Sequence, residues 1–416
     1  MVMVDLMVRE QQSARAAGEN VPVGFKVTEV GVIPTDWDVY SLGELSISIA
    51  SGKTYTQSNG EYPLYGSTGL IGTCEFGEYE GNALLIARVG ANAGRLNFVS
   101  GKYGVSDNTL IVKLKPQHNI ALFYYILLQK NLNTLIFGSG QPLITGSLLK
   151  KIIIAIPCKD EQTSIANVLT EVDVLIINLE KLIIKKQAIK TATMQQLLTG
   201  KTRLPQFALR ENGTVKGYKK SELGEIPEDW TIEHFSKLAT LRNERVNPKT
   251  KNIENFCVEL EHIVPEFGQL NGFTETSSSS SIKNFFSEND ILFGKLRSYL
   301  KKYWKATRSG VCSTEIWVLK AELHKAIPEF IFQTVRTDRF IQTASEAYGT
   351  HMPRADWKII REFLVATPSK EEQIAIATIL SDMDKDIQAL QQRLDKTRQL
   401  KQGMMQELLT GKTRLI

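Results

Sequence analysis

At 416 residues, 42% hydrophobic and 23% charged, the chain has the composition of a soluble globular protein with room for two or three domains. Its four cysteines (Cys74, Cys158, Cys257, Cys312) are scattered with no Cys-x-x-Cys pair, which argues against a structural zinc site and for a reducing, cytoplasmic setting. No stretch approaches a membrane span, and the net charge of +5 is compatible with nucleic acid without requiring it.

Residues 1–20 match nothing later in the chain; a frayed tail and a short helix both fit. The segment 24–37, GFKVTEVGVIPTDW, then returns at 217–230 as GYKKSELGEIPEDW, 193 positions on. Gly-x-Ile-Pro-x-Asp-Trp reads as a turn opening a new domain, with Trp37 and Trp230 as packing anchors; stacking of either ring on a base is the weaker reading.

Each opening turn leads into a diverged globular stretch. Both stretches carry an apolar strand ending in a basic turn, at 82–95 and 289–302. Both continue to Gly-Val, at Gly104-Val105-Ser106 and Gly310-Val311-Cys312-Ser313, with strands at 109–113 and 315–319. Helices are expected at 122–132 and 330–344, and a loop at the serine run 277–281. Both stretches close on Gly-(Ser/Thr)-x-x-Pro, at Gly138 to Pro142 and Gly349 to Pro353, followed by short strands at 151–156 and 362–366.

A second repeat follows, at an offset of 211. PCKDEQTSIANVLTEVDVLIINLEKLIIKKQAIKTATMQQLLTGKTRL at 157–204 recurs without a gap at 368–415, and the last eight residues are identical. Pro before an acidic Glu-Gln run starts a helix, and Gly200 and Gly411 suit the residue just past its end. Val172, Ile176, Leu179 and Ile183, and in the second copy Met383, Ile387, Leu390 and Leu394, alternate steps of four and three, the pattern of a coiled-coil seam. The seam decays toward Lys186, Lys190, Thr397 and Lys401, which leaves the later half of each helix open to a partner instead of its twin. A helix of roughly 40 residues spans about 60 Å.

The layout is therefore a tail (1–23), a globular domain (24–156), a spacer helix (157–204), a polar linker (205–216), a second globular domain (217–367) and a second spacer helix (368–416). Catalysis has no visible home in it. Gly-Lys-Thr occurs at Gly52, Gly200 and Gly411, but a phosphate-binding loop needs a further Gly five positions earlier, where Ile47, Gln195 and Gln406 stand. Neither an amino-methylation motif nor a glycine-rich nucleotide fingerprint occurs, and the five histidines are dispersed, with His262 and His351 read as surface residues. What remains is a binding surface. Its candidates are Lys53, Tyr65, Arg88, Arg95, Lys102, Ser106, Ser139 and Gln141 in the first domain. In the second they are Lys295, Arg297, Lys301, Lys302, Tyr303, Ser313, Thr350, His351 and Arg354. Arg and Lys on loops suit phosphate and guanine, while small polar side chains suit adenine or phosphate.

These features together resemble the specificity (S) subunit of type I restriction-modification systems. The duplicated Pro-x-x-Glu-Gln-x-x-Ile-Ala helix with its Leu-Leu-Thr-Gly-Lys-Thr-Arg-Leu end carries the resemblance. So do the Gly-x-Ile-Pro-x-Asp-Trp opening and the run from Phe293-Gly-Lys-Leu-Arg297 to Gly310-Val-Cys-Ser-Thr-Glu315. The resemblance implies an α+β fold: two mixed α/β target recognition domains held apart by two antiparallel helices in a pseudo-two-fold repeat. It implies that the chain reads a bipartite, asymmetric site in double-stranded DNA, with the helices as a ruler for the unread gap. It further implies two methylating (M) subunits that hold S-adenosylmethionine and modify adenine, and motor nuclease (R) subunits that use ATP and Mg2+. No cofactor or catalysis then belongs to this chain. A methylation-only complex, a coiled-coil adaptor that reads no DNA, and a self-sufficient enzyme are the competing readings.

Overall fold

The computed structural model describes residues 21–55, 60–135, 143–247, 255–276, 281–346 and 353–415. The expectations for residues 1–20, for Ser139, Gln141, Thr350 and His351, and for most of the serine run lie outside them. The chain forms two compact units. One comprises the residues up to Glu180 together with those from Arg393 onward; the other runs from Lys181 to Gln392.

In the first unit the opening turn is a hairpin, Phe25–Thr28 against Gly31–Pro34. Asp38–Ser41 then pairs antiparallel with Ile153–Ile156, which ties the start of the globular stretch to its end. Between them lies an antiparallel sheet in the order Ser46–Ser51, Thr109–Leu114, Ala83–Ala87, Leu96–Val99. A second sheet runs Gly69–Cys74, Tyr62–Gly66, Lys102–Val105, Tyr79–Glu80, and in it Lys102–Val105 is parallel to Tyr62–Gly66. Ala83–Ala87 is buried on both faces. Leu84 and Ile86 point into a core shared with the helix Ile120–Gln129, while Ala83 and Leu85 point into a smaller core beneath the second sheet. A continuous apolar run is what a strand between two layers requires.

The second unit repeats this plan. It has an opening hairpin (Tyr218–Ser221, Gly224–Pro227), a tie (Thr231–His234 with Leu364–Thr367) and a main sheet. That sheet runs Ala239–Leu241, Ile316–Ala321, Ile291–Gly294, Tyr303–Lys305. Its second sheet again holds one parallel pair, Cys257–Val258 with Gly310–Cys312. The single helix expected at 330–344 is two, Pro328–Thr334 and Asp338–Ser345. Thr337 stands between them in extended conformation and its side chain accepts a hydrogen bond from the Phe340 amide, so it caps the second helix instead of continuing the first.

The long helices are Lys159–Leu198, of 40 residues, and Lys370–Leu408, of 39. Each begins in one unit and ends in the other. The core of the first unit takes Ile165, Ala166 and Leu169 from the start of the first long helix and Leu408 and Leu409 from the end of the second. The core of the second takes Met194, Leu197 and Leu198 with Ile376 and Leu380. Within each unit the two helical halves lie antiparallel. Asp173 meets Lys401 and Glu180 meets Arg398 in the first; Lys186 meets Asp386 and Lys190 meets Asp384 in the second.

The eight seam residues are buried or half-buried as their spacing requires, with Leu179, Ile183, Ile387 and Leu394 the most enclosed. The expected decay of the seam is corrected by the structure. Lys190 and Thr397 are buried, and Lys186, Lys190 and Lys401 each pair with an aspartate of the other long helix. The seam therefore changes from apolar to ionic without leaving its twin. Among the described residues no helix is long and apolar enough to cross a membrane.

Candidate nucleic-acid interface

In each unit three segments from distant parts of the sequence meet where the main sheet ends. In the first unit the Arg88 amide donates to the Asn108 carbonyl (3.1 Å), and the Ile144 amide donates to the Arg88 carbonyl (2.8 Å). In the second the Lys295 amide donates to the Glu315 carbonyl (3.0 Å), and the Ala355 amide donates to the Lys295 carbonyl (2.9 Å). Isolated bridges, Val89 with Leu143 and Leu296 with Arg354, complete both clusters. The backbone frame is thus the same twice, and only its side chains differ.

Those differences set the chemistry. In the first cluster Arg88 donates from Nη1 to the Asp107 carbonyl (3.4 Å), and its Nε is buried without a hydrogen-bond partner among the described residues. Lys53 and Arg95 are exposed beside it, and Ser106 is half-buried. In the second, Arg297 and Lys301 hold left-handed backbone conformations (φ of 52° for both) on either side of a short 3-10 helix, Ser298–Leu300. For a non-glycine residue that costs about 1 kcal/mol or more. The buried Ser298 hydroxyl, donating to the Ala344 carbonyl at 2.8 Å, fixes the turn and leaves Arg297 facing solvent. Arg354 grips Glu315 through Nε (3.0 Å) and Nη2 (3.2 Å), and this pairing holds the Glu315 carboxyl below its ordinary range.

Not every expected residue joins these clusters. Lys102 is exposed at the far end of its strand, about 13 Å along from Ser106 at the usual rise per residue. Tyr65 is a half-buried strand residue set edge-on to Tyr103. Lys302 donates to the Leu260 carbonyl (2.6 Å), and Lys301 pairs with Asp338 and Glu266. Tyr303, expected on the binding surface, is corrected to the core: it is buried in a strand with its hydroxyl donating to the Glu266 carbonyl. His262, expected at the surface, is largely enclosed, accepting at Nδ1 from the Glu259 amide and approaching the Thr274 hydroxyl with Nε2.

The duplicated motifs converge on a different site, a latch present once in each unit. Arg414 binds Glu161 through Nε (2.7 Å) and Nη2 (2.8 Å) and Asp36 through Nη1 (2.9 Å) and Nη2 (2.6 Å). The Trp37 indole donates to the same Glu161 at 3.1 Å. In the second unit Arg203 binds Glu372 and Asp229, and Trp230 donates to Glu372 at 3.0 Å. Both glutamates are only 2% exposed. A buried carboxylate needs such partners, and a guanidinium fork supplies two hydrogen bonds to each acid. Burial works against the Asp229 carboxylate, but hydrogen bonds from Lys216 and Arg203 outweigh it and lower its pKa. The glycine preceding each Lys-Thr-Arg adopts φ near +70° and lies against the opening turn: a Cβ on Gly411 would come within 2.5 Å of Pro34, and one on Gly200 within 2.4 Å of Pro227. The neighbouring Gln162 and Gln373 bond to the chain at the helix starts near Asn119 and Ile327.

A model of the protein family described as the type I restriction modification DNA specificity domain matches residues 34–190 and 227–399. The chain belongs to that family. The specificity subunit of the type I restriction enzyme EcoDI from Escherichia coli is 27% identical over 364 residues, covering 82% of this chain and 80% of its own. That of MjaVIII from Methanocaldococcus jannaschii is 26% identical over 421 residues, covering 92% and 94%. The crystal structure of a type I restriction-modification S subunit from M. genitalium shares the fold, with a TM-score of 0.58 at 16% identity over 89% of this chain and 96% of that one.

The two stretches matched to the specificity family open on Pro34 and Pro227, the prolines packed beneath the latch glycines. Arg203 and Arg414 were legible only as helix-end residues in the sequence. The signal that could have found them is that Asp36, Glu161 and Arg414 all recur, as Asp229, Glu372 and Arg203. Ser67, Ile71, Asp107 and Asn108, which line a concave mouth of the first cluster with Thr54 and Tyr55, also escaped sequence reasoning.

Proposed function

We propose that this specificity-family chain reads a bipartite, asymmetric DNA site for a type I restriction-modification assembly, one half-site for each loop cluster. The observation that carries the reading is the twice-built backbone frame with unlike side chains. Equal frames suit equal approaches to the double helix, and unlike side chains suit unlike half-sites. Arg88 and Arg95 in the first cluster, with Lys295 and Arg297 in the second, are the cations we assign to phosphate or guanine. Lys53, Ser106, Ser313 and Arg354 complete the set. The two long helices serve as the ruler for the unread gap, and the segments 24–156 and 217–367 as target recognition domains.

Methylation of adenine and cleavage then belong to partners. Methylating subunits hold S-adenosylmethionine, and motor subunits use ATP and Mg2+, in the cytoplasm where the DNA is. The outward face of the first long helix supports docking of such a subunit. Within the first unit Val174 and Ile177 are each more than 40% exposed there, where the second helix has Lys385 and Gln388 at the equivalent positions. Methylome sequencing of a host expressing this chain with its methylating partner, against a host lacking the chain, tests the proposal. A new two-part methylated-adenine motif with a fixed gap is expected. No new motif, with the partner shown to be active beside another specificity subunit, would refute it in favour of a non-reading adaptor.

A further inference from the structure

The hairpin Tyr62–Gly66/Gly69–Cys74 of the first unit is out of step with itself. Leu64 lies opposite Gly72 but Tyr65 lies opposite Leu70, so Ile71 has no opposite number. This is a β-bulge, and a bulge re-aims the side chain of its extra residue. Ile71 is accordingly 40% exposed, although it is an aliphatic residue in a strand. Its methyls lie over Gly66: a Cβ there would sit 2.8 Å from Ile71 Cδ1 and 3.3 Å from the Ser106 hydroxyl. The bare Cα of Gly66 leaves the room in which the isoleucine lies toward the loop cluster, and an added methyl there would push Ile71 Cδ1 aside.

The mouth into which Ile71 turns is otherwise polar. Ser67, Ser106, Asp107 and Asn108 line it, with Tyr55 at its rim. One aliphatic contact among hydroxyl, amide and carboxylate groups is the complement of an A·T pair seen from the major groove. There the thymine methyl is the apolar feature on offer, and it lies beside the acceptors and the donor of the same pair. Asn and Ser can donate to adenine N7 or thymine O4, and Asp or Asn can accept from adenine N6.

We infer that Ile71 is a specificity-determining residue that seats against a thymine methyl within the half-site read by the first unit. This rests on the DNA-reading function proposed above. The inference is confined to one half-site because the second unit is built differently at this place. After its corresponding strand, Cys257–Val258, the chain makes a 15-residue excursion (259–273) before Thr274 pairs back on Cys257, whereas two residues, Ser67 and Thr68, make the turn in the first unit.

The test uses the full chain in complex with its methylating subunit. Binding is measured on duplexes carrying the recognised motif in which each thymine in turn is replaced by deoxyuridine, which lacks only the methyl. The unaltered complex is expected to lose about fourfold in affinity at one thymine of one half-site, the worth of burying a single methyl. Ile71→Ala should be indifferent to that replacement, and Ile71→Val should respond partly, with a single cooperative melting transition kept in both because the residue is already 40% exposed. Several results would overturn the inference: a half-site without thymine, insensitivity of the unaltered complex to uracil throughout, or undiminished sensitivity in Ile71→Ala. So would loss of all selective binding by Ile71→Ala, since one methyl carries only a few-fold. If the unaltered complex shows no preference among unrelated duplexes, the DNA-reading proposal itself fails and this inference with it.

Discussion

Removing the Arg414 side chain should unfasten the first unit from its last residues. The substitution Arg414→Ala deletes four hydrogen bonds, two to Glu161 and two to Asp36. The two acids are unequal. The Asp36 side chain is 60% exposed, so water replaces its partner at little cost. Glu161 is 2% exposed and, among the described residues, keeps the Trp37 indole and a long contact from the Leu415 amide. Leaving a buried charge without its partner costs about 3–5 kcal/mol when burial is complete. The Arg414 side chain is itself 24% exposed, so we expect about 2–4 kcal/mol here. For a unit of this size that lowers the midpoint of thermal unfolding by roughly 4–16 °C. Hydrogen exchange should also accelerate at 159–165 and at 404–415 while the second unit is unchanged. Glu161→Gln in the same chain should restore much of the loss, because a neutral amide needs no counter-charge. A cost below about 1 kcal/mol, or no rescue by Glu161→Gln, would show that the latch is an ordinary solvent-screened ion pair and that the burial argument is wrong.

Three further outcomes are expected. Burial, reinforced by the nearby Arg336, pushes the Lys190 ammonium down to about 8 despite its pairing with Asp384. The folded chain therefore binds fewer protons here than the unfolded chain between about pH 8 and 10, and stability from this group rises with pH across that window. Lys190→Met should accordingly stabilise the second unit by about 1–3 kcal/mol at pH 7, and the advantage should shrink toward pH 10; denaturant titrations at both values decide it, and an advantage that grows with pH would refute the assignment. Arg297→Ala should weaken selective DNA binding by about tenfold while sparing one half-site; unchanged affinity and unchanged salt slope would remove Arg297 from the interface. Deleting seven residues from both long helices keeps the seam in phase and should shorten the unread gap in the methylome motif without altering either half-site; an unchanged gap would refute the ruler role.

Much of this was open to reading because it repeats or is periodic. The duplication located both long helices to within a few residues, and the burial of Trp37 and Trp230 followed from their place at the opening turn. The ionic part of the seam was misread for a physical reason. A lysine at a seam position looks like the end of a coiled coil, and its aspartate stands in the other helix: Lys190 with Asp384, Lys401 with Asp173. Only the antiparallel pairing brings these charges together. His262 is held at both ring nitrogens, by the Glu259 amide and the Thr274 hydroxyl, and such contacts are invisible in a linear pattern. The bulge at Ile71 depends on a slipped ladder, and alternation along a single strand cannot reveal which residue has lost its opposite number. The loop clusters were seen as basic turns, but not which lysines would turn inward to the Leu260 carbonyl or to Asp338.

That the first unit is finished by the end of the chain has a consequence in time. Ribosomes add roughly 5–20 residues per second. The 212 residues from Lys181 to Gln392 separate the two parts of the first unit, so those parts meet only after a delay on the order of 10–40 s. The second unit is contiguous and is complete before the first, although its sequence comes later. During the wait the first unit has Glu161 and Trp37 in place but no Arg414. Residues 197–204 have by then emerged, and they are identical to residues 408–415. That copy cannot stand in: it ends the helix whose start carries Glu161, and its Arg203 is taken by Glu372 and Asp229 of the second unit, so Glu161 stays without its arginine until Arg414 is made.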